Sequence, residues 1–145
     1  MKIAIGNDHH GVTLKKELVD DLKKQGYEVI NYGSDSEEMV DYTKYAFLVG
    51  EAVRDQKVDF GILICGSGIG MSIACNKVRN VRCARVCNVQ DAFATRNDND
   101  ANVIALSGKV PFEQAKDIVH TFLTTPFEQI ERYQRRVRDI NQYDS

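Results

Sequence analysis

Residues 63–72 read LICGSGIGMS, a thiol at Cys65 followed at once by Gly66, Gly68 and Gly70. Glycines in such a run let backbone N–H groups come close to a ligand. Here the run opens a helix at Met71, where free N–H groups and the helix dipole favour an anion. A thiol at that mouth can attack, carry a proton or merely fill space, and helix N-termini are among the places where cysteines become reactive. The segment is not a P-loop, since no lysine follows the last glycine, and Met71 stands where a dinucleotide fingerprint has its third glycine. It also differs from the Cys-x5-Arg-Ser/Thr loop of cysteine phosphatases: Ser72 is in place, but Met71 holds the arginine position. Without that guanidinium, phosphoryl transfer loses its main electrostatic support. An anion site beside a proton carrier fits better.

Three further groups carry chemistry. In GNDHHG, residues 6–11, Asp8, His9 and His10 follow the first apolar run. An Asp-His pair at a strand end is well placed for function, so His9 is expected to touch the ligand, whereas His10 is evenly balanced between a role and none. His120 falls off the apolar stripe of its helix and is expected in solvent. RYQRRVR, residues 132–138, sets Arg132 and Arg136 four apart on one helix face. Read alone, such a run is a solvated surface. Cys75, Cys83 and Cys87 make no C-x-x-C pair and have no further ligands at metal spacing. All three are expected to fill the core, with Cys83 and Cys87 on one strand face and no disulfide formed.

The elements that must position these groups alternate. Strands are expected over 2–7, 27–33, 60–65, 81–86 and 102–107, with helices over 13–26, 42–55, 71–78, 88–97, 111–125 and 127–140. Leu14, Leu18 and Leu22 recur every four residues, Gly26 and Asn88 suit helix caps, and Pro111 suits a helix start. FGILIC, residues 60–65, is unbroken apolar sequence, as in a strand buried on both faces of a parallel sheet. The fold class is therefore α/β: one doubly wound, Rossmann-like domain over 1–145, a five-stranded parallel sheet with helices on both faces. Ligands of such sheets sit at the carboxyl ends of the strands. That rule brings Asp8, His9, His10, the Cys65 loop and Lys109 to one rim.

A chain of 145 residues with 43% hydrophobic residues suits a single well-packed domain. Its 19 basic and 21 acidic residues lack the basic excess of a nucleic-acid binder. No apolar run is long enough for a membrane span and the first residues lack a signal peptide's apolar core, so a cytoplasmic protein is expected.

Taken together, these residues resemble the family of type B ribose-5-phosphate isomerases and galactose-6-phosphate isomerase subunits. The resemblance covers essentially the whole chain and rests on GNDHHG, DYT at 41–43, ICGSGIGMSIACNKV, NDANV at 99–103 and RYQRRV. It implies an aldose–ketose isomerase of a sugar phosphate working through an enediolate without metal or other cofactor. It further implies that Cys65 moves the proton between C1 and C2, and that backbone N–H groups across Gly66, Ser67, Gly68, Ile69 and Gly70 hold the enediolate oxygens. Ser67 stands where the family has threonine and keeps a hydroxyl for ring opening. By the same resemblance Asp8 and His9 bind substrate, Asn99 contacts a hydroxyl, Lys109 occupies a position usually arginine, and Arg132 with Arg136 clamps the phosphate. The family site lies between subunits, implying a homodimer or homotetramer.

One departure bears on the substrate. Where the family's ribose isomerases have a ring-opening histidine, in His-Asn-Asp, this chain has Asp98-Asn99-Asp100. Ribose 5-phosphate to ribulose 5-phosphate is the first reaction expected. The alternatives are a tetrose 4-phosphate or hexose 6-phosphate isomerase, or a phosphosugar-binding subunit of a hetero-oligomer. Asp98 tilts the expectation towards substrates that need no ring opening.

Overall fold

The computed structural model describes residues 1–143. Five strands, β1 (Lys2–Asn7), β2 (Glu28–Asn31), β3 (Phe60–Cys65), β4 (Cys83–Arg85) and β5 (Val103–Ser107), form one parallel sheet in the order β2-β1-β3-β5-β4. Six α-helices, α1 (Val12–Lys24), α2 (Tyr42–Arg54), α3 (Ile69–Cys75), α4 (Val89–Asn99), α5 (Phe112–Thr124) and α6 (Glu131–Gln142), connect or flank the strands, and one 3-10 turn spans His9–Gly11. Alternate strand residues point to opposite faces. Ile3, Ile5, Ile62, Ile64, Ile104 and Leu106 therefore pack under α1, α4 and α5. Ala4, Leu63, Cys65, Val103 and Ala105 pack under α2 and α3. The doubly wound parallel fold read from the sequence is the one observed.

The sheet reverses its winding between β1 and β3, because the chain leaves β1 for β2 on one side and returns to β3 on the other. That switch leaves a crevice at the carboxyl ends of the two strands. Asp8 donates its N–H to the Ile64 carbonyl (3.1 Å), and Gly108 donates to the Cys65 carbonyl (2.8 Å), so the exits of β1, β3 and β5 are tied side by side. Beneath the rim the buried Lys15 ammonium holds the segment after β2, donating to the Ser34 carbonyl (3.0 Å), Asn31 Oδ1 (3.3 Å) and the Asp35 carboxylate. Lys15 in turn, with Asn31, holds the Asp35 carboxyl below the ordinary carboxylate range.

Several boundaries differ from the sequence reading. α3 begins at Ile69, because Gly68 turns the chain in the left-handed region (φ 80°), and it ends at Cys75. α4 keeps its Asn88 cap but continues to Asn99, where Asp100 (φ 50°) ends it, so Asp98 and Asn99 lie in a helix and not beyond one. α6 starts only at Glu131. Pro126 disfavours helical backbone at Thr125, which is extended (ψ 120°), and delays the helix. β4 is only three residues long, so Cys87 leaves both the strand and the core. It is exposed, and its N–H caps Asp91 Oδ2 (3.3 Å). Cys75 and Cys83 are buried as expected. A hydrogen bond with Cys75, together with burial, pushes the Cys83 thiol up and keeps it inert.

Candidate active site

Cys65 ends β3 on the α2/α3 face and is 5% exposed. The chain then folds back over it, and the Gly68 N–H donates to its Sγ at 3.2 Å. Ser67 is held at both ends: its Oγ accepts the Ile69 N–H (3.1 Å) and its carbonyl accepts Arg85 Nε (3.0 Å). The Gly66 carbonyl accepts the Ser107 hydroxyl (2.8 Å), which also takes the Lys109 N–H (3.1 Å). Lys109 is thereby brought to the same rim, with its side chain exposed.

On the β1 side the Asp8 carboxylate is buried, and its Oδ1 accepts the His10 N–H at 2.9 Å. His9 accepts the Val40 N–H on Nδ1 (3.2 Å), which in the neutral ring leaves the proton on Nε2, turned to other partners. The two imidazoles lie 4.1 Å apart between centroids. One ligand atom from each of Asp8, His9 and His10 falls within 4.8 Å of the others, so these three could together hold a metal ion.

The glycines divide by purpose. Gly68 has φ 80°, and a Cβ there would lie 3.0 Å from the Leu106 carbonyl carbon. At Gly70 a Cβ would collide with the Tyr42 ring at 2.6 Å, so this glycine lets α2 and α3 meet. Gly66 differs: the nearest atom to a Cβ would be His10 Nδ1 at 3.5 Å, an ordinary contact. The fold does not demand a glycine at 66, whereas a ligand approaching the backbone would. Gly68→Ala is expected to lose about 1–3 kcal/mol from left-handed strain and crowding. Gly66→Ala is expected to keep wild-type stability, within ~0.5 kcal/mol as for unstrained sites, and still lose turnover. Urea melts paired with a turnover assay check both. A fully active Gly66→Ala enzyme would show that no ligand uses that space.

Four of the expected site residues lie elsewhere in the same chain. Asp98 and Asn99 occupy the last turn of α4, at the end that feeds the start of β5, opposite the rim of Cys65. The Asp98 carboxylate accepts Asn97 Nδ2 (2.7 Å), and Asn99 lines a cavity of about 250 Å³ with Asn76, Arg82 and Ile140. α6 packs on α4 at this edge: Glu128 donates to the Asn97 carbonyl (3.1 Å), and Arg82 reaches Asn141 (2.7 Å). Glu131 pairs with Arg135 and Arg138. Arg132 and Arg136 are exposed and make no ion pair among the described residues, Arg132 resting on the Tyr133 ring (4.9 Å). Within one chain the thiol and its donors thus lie at the carboxyl ends of the strands, whereas Asp98 and Asn99 lie at the opposite end on α4, against which α6 with its two arginines packs.

The model of the Ribose/Galactose Isomerase family matches residues 3–140. The chain belongs to this family. Ribose-5-phosphate isomerase B of Escherichia coli K12 is 44% identical over 140 residues, spanning 96% of this chain and 93% of that protein. Among solved structures, ribose-5-phosphate isomerase B of Clostridium thermocellum is 46% identical with a TM-score of 0.94, over 97% of this chain and 95% of the other. The ribose 5-phosphate isomerase of Thermotoga maritima is 43% identical with a TM-score of 0.93, over 97% of each chain. Membership of the ribose/galactose isomerase family makes the chain a sugar-phosphate isomerase, an intramolecular oxidoreductase of the aldose–ketose kind. Among the described residues no helix is long and apolar enough to cross a membrane.

Sequence reasoning missed several residues that build the rim. Ser107 joins the glycine loop to β5, Arg85 holds Ser67, and the Val40 amide orients His9. None of them sits in a motif, and only the sheet order brings them together.

Proposed function

We propose that the chain interconverts ribose 5-phosphate and ribulose 5-phosphate, with Cys65 as the base. The observation that carries this reading is the Cys65 sulfur under the Gly68 amide, in a loop whose Gly66 leaves its backbone open to a ligand. In the open-chain aldose the thiolate takes the proton from C2, and the electron pair moves into a C1–C2 double bond as O1 gains charge. Of the backbone N–H groups across residues 66 to 70, those of Gly68 and Ile69 are held by Cys65 Sγ and Ser67 Oγ, and the others stabilise that charge. The same thiol returns the proton to C1 while the O2 proton passes to O1, the C2=O bond forms as the C1–C2 double bond is lost, and the product is the ketose. No metal takes part in this sequence. His9 Nε2 and Asp8 bind the sugar hydroxyls, and Lys109 adds positive charge at the rim. The decisive test is turnover by the purified chain of a panel of phosphorylated tetroses, pentoses and hexoses, with ribose 5-phosphate expected to lead. Absence of turnover on every member overturns the reading. Asp98 favours a second reading, a tetrose 4-phosphate isomerase, and the same panel separates the two.

Phosphate recognition in this reading comes from a second copy of the chain. Arg132, Arg136, Asn99 and Asp98 of one protomer complete the Cys65 rim of its partner, in a homodimer or a tetramer built of such dimers. Ile69 and Ile73 on α3 and Phe93 on α4 are 48%, 66% and 50% exposed, apolar surface beside the loop that suits such a contact. The protein is therefore expected to be at least dimeric at micromolar concentration, burying upwards of about 1,000 Å². A fully active monomer in light scattering contradicts the shared site.

A further inference from the structure

We propose that His10 opens the sugar ring, a task that the carboxylate at Asp98 leaves unfilled. The inference rests on the pentose-phosphate isomerase reading above and adds a residue to it. A furanose phosphate has no carbonyl until its C1–O4 bond breaks, so a proton must leave the anomeric oxygen O1 and another must reach O4. Imidazole does both near neutral pH. His120 is on α5, exposed, and belongs to neither set of expected site residues. His9 has Nδ1 committed to the Val40 amide, and the reading above assigns its other nitrogen to a sugar hydroxyl. His10 lies against the open face of Gly66, one residue from both Cys65 and Ser67, with Nδ1 3.5 Å from where a Cβ of residue 66 would sit. Its ring is 57% exposed, and Nδ1 faces the buried Asp8 carboxylate at 3.6 Å. Its backbone is fixed from both sides: its N–H on Asp8 Oδ1 (2.9 Å), its carbonyl against Gly108, where a Cβ would be only 2.3 Å away.

This geometry leaves Nε2 for the sugar. Neutral His10 takes the O1 proton through Nε2 as the C1=O bond forms and the C1–O4 bond breaks. The imidazolium then gives the same proton to O4. O1 and O4 are bonded to one carbon, so a single nitrogen reaches both and no proton is gained or lost overall. Asp8, beside Nδ1, supports the transient imidazolium, as the acid of a serine-protease triad supports its histidine.

A tetrose 4-phosphate tests the idea, because its O4 carries the phosphate and cannot close a furanose ring. His10→Gln is expected to lower kcat/KM on ribose 5-phosphate by about 100-fold, and on erythrose 4-phosphate by a far smaller factor. Added imidazole is expected to restore ribose 5-phosphate turnover in His10→Gly, a response that a merely structural role would not give. Ring opening is also read alone: Cys65→Ala enzyme should accelerate exchange between the α and β anomers of ribose 5-phosphate in NMR, and the double variant with His10→Gln should not. Equal losses on both sugars, no imidazole rescue, or undiminished anomer exchange in the double variant overturns the role of His10 while leaving the isomerase standing. A wild-type chain that turns over neither sugar removes the isomerase reading itself, and this one with it.

Discussion

Cys65→Ala is expected to stop isomerisation, with kcat lower by about 10⁴-fold or more, the upper end of what a general base supplies. The size of the effect follows from the residue's position in the reaction. In the proposed reaction the thiolate starts proton abstraction and also returns the proton, so no later step proceeds without it. Among the described residues the loop from 66 to 70 has no other side chain able to hold a proton at carbon, since Ser67 carries an alcohol and Ile69 a hydrocarbon. Removing one sulfur from a residue that is 5% exposed leaves a small void, and the Gly68 amide loses its acceptor. Together these are expected to cost about 1–2 kcal/mol of stability, too little to unfold the domain. Substrate affinity is expected to change little, because the proposed phosphate and hydroxyl contacts come from other residues. Turnover, calorimetric titration with ribose 5-phosphate, and loss of solvent-deuterium incorporation at C2 check the three parts. Near-normal turnover takes Cys65 out of the mechanism. Cys65→Ser, which keeps the shape but holds its proton far more tightly, should be almost as inactive as the alanine variant.

How much of this was legible beforehand depended on whether a feature is local. FGILIC and the leucine spacing of α1 declare a buried strand and an amphipathic helix without outside help, and the five-stranded sheet follows from their alternation. The Asn88 cap could be read for the same reason: backbone conformation is set by the residue and its neighbours. Cys87 was misread because strand length is not local. β4 stops at Arg85, although its partner β5 runs on to Ser107 in register with β3, so the alternation that would bury Cys87 never reaches it. The rim was legible in outline through the rule that ligands gather at strand ends, which brought Asp8, His9, Cys65 and Lys109 together. The separation of the expected site residues within one chain was not legible from the motifs. NDANV and RYQRRV look continuous with the glycine loop as parts of one signature, but α4 runs antiparallel to the strands and carries Asp98 and Asn99 to the opposite edge. His10 illustrates a further limit. Beside His9 in sequence it carries no signal of its own, and only Gly66, brought up from β3, gives it a possible task.

Arg132→Ala and Arg136→Ala are expected each to raise KM for ribose 5-phosphate by about 10- to 100-fold, the worth of a charge-assisted hydrogen bond to phosphate of roughly 1.5–3 kcal/mol. The double variant should lose most discrimination between a phosphorylated sugar and the free sugar. Both arginines are exposed on α6 and unpaired by any carboxylate among the described residues, whereas their neighbours Arg135 and Arg138 share Glu131. Arg135→Ala, which breaks an exposed pair worth at most about 0.5 kcal/mol, therefore serves as the control and should leave KM where it was. The arrangement also makes a sharper demand. Cys65 and the two arginines sit at opposite edges of one sheet, so a shared site takes its thiol from one protomer and its arginines from the other. Cys65→Ala and the double arginine variant, each with little activity alone at a ribose 5-phosphate concentration near the wild-type KM, are then expected to complement each other when mixed and allowed to exchange subunits. In a two-fold dimer formed at random from equal amounts, half the dimers are mixed and each contains one intact site, so about a quarter of wild-type activity should return. If the arginines served the thiol of their own chain, a mixed dimer would hold two defective sites and nothing would return. Unchanged KM in the double variant would reduce the run to a solvated helix face, whereas a large KM effect without complementation would keep the phosphate clamp and remove its sharing between subunits.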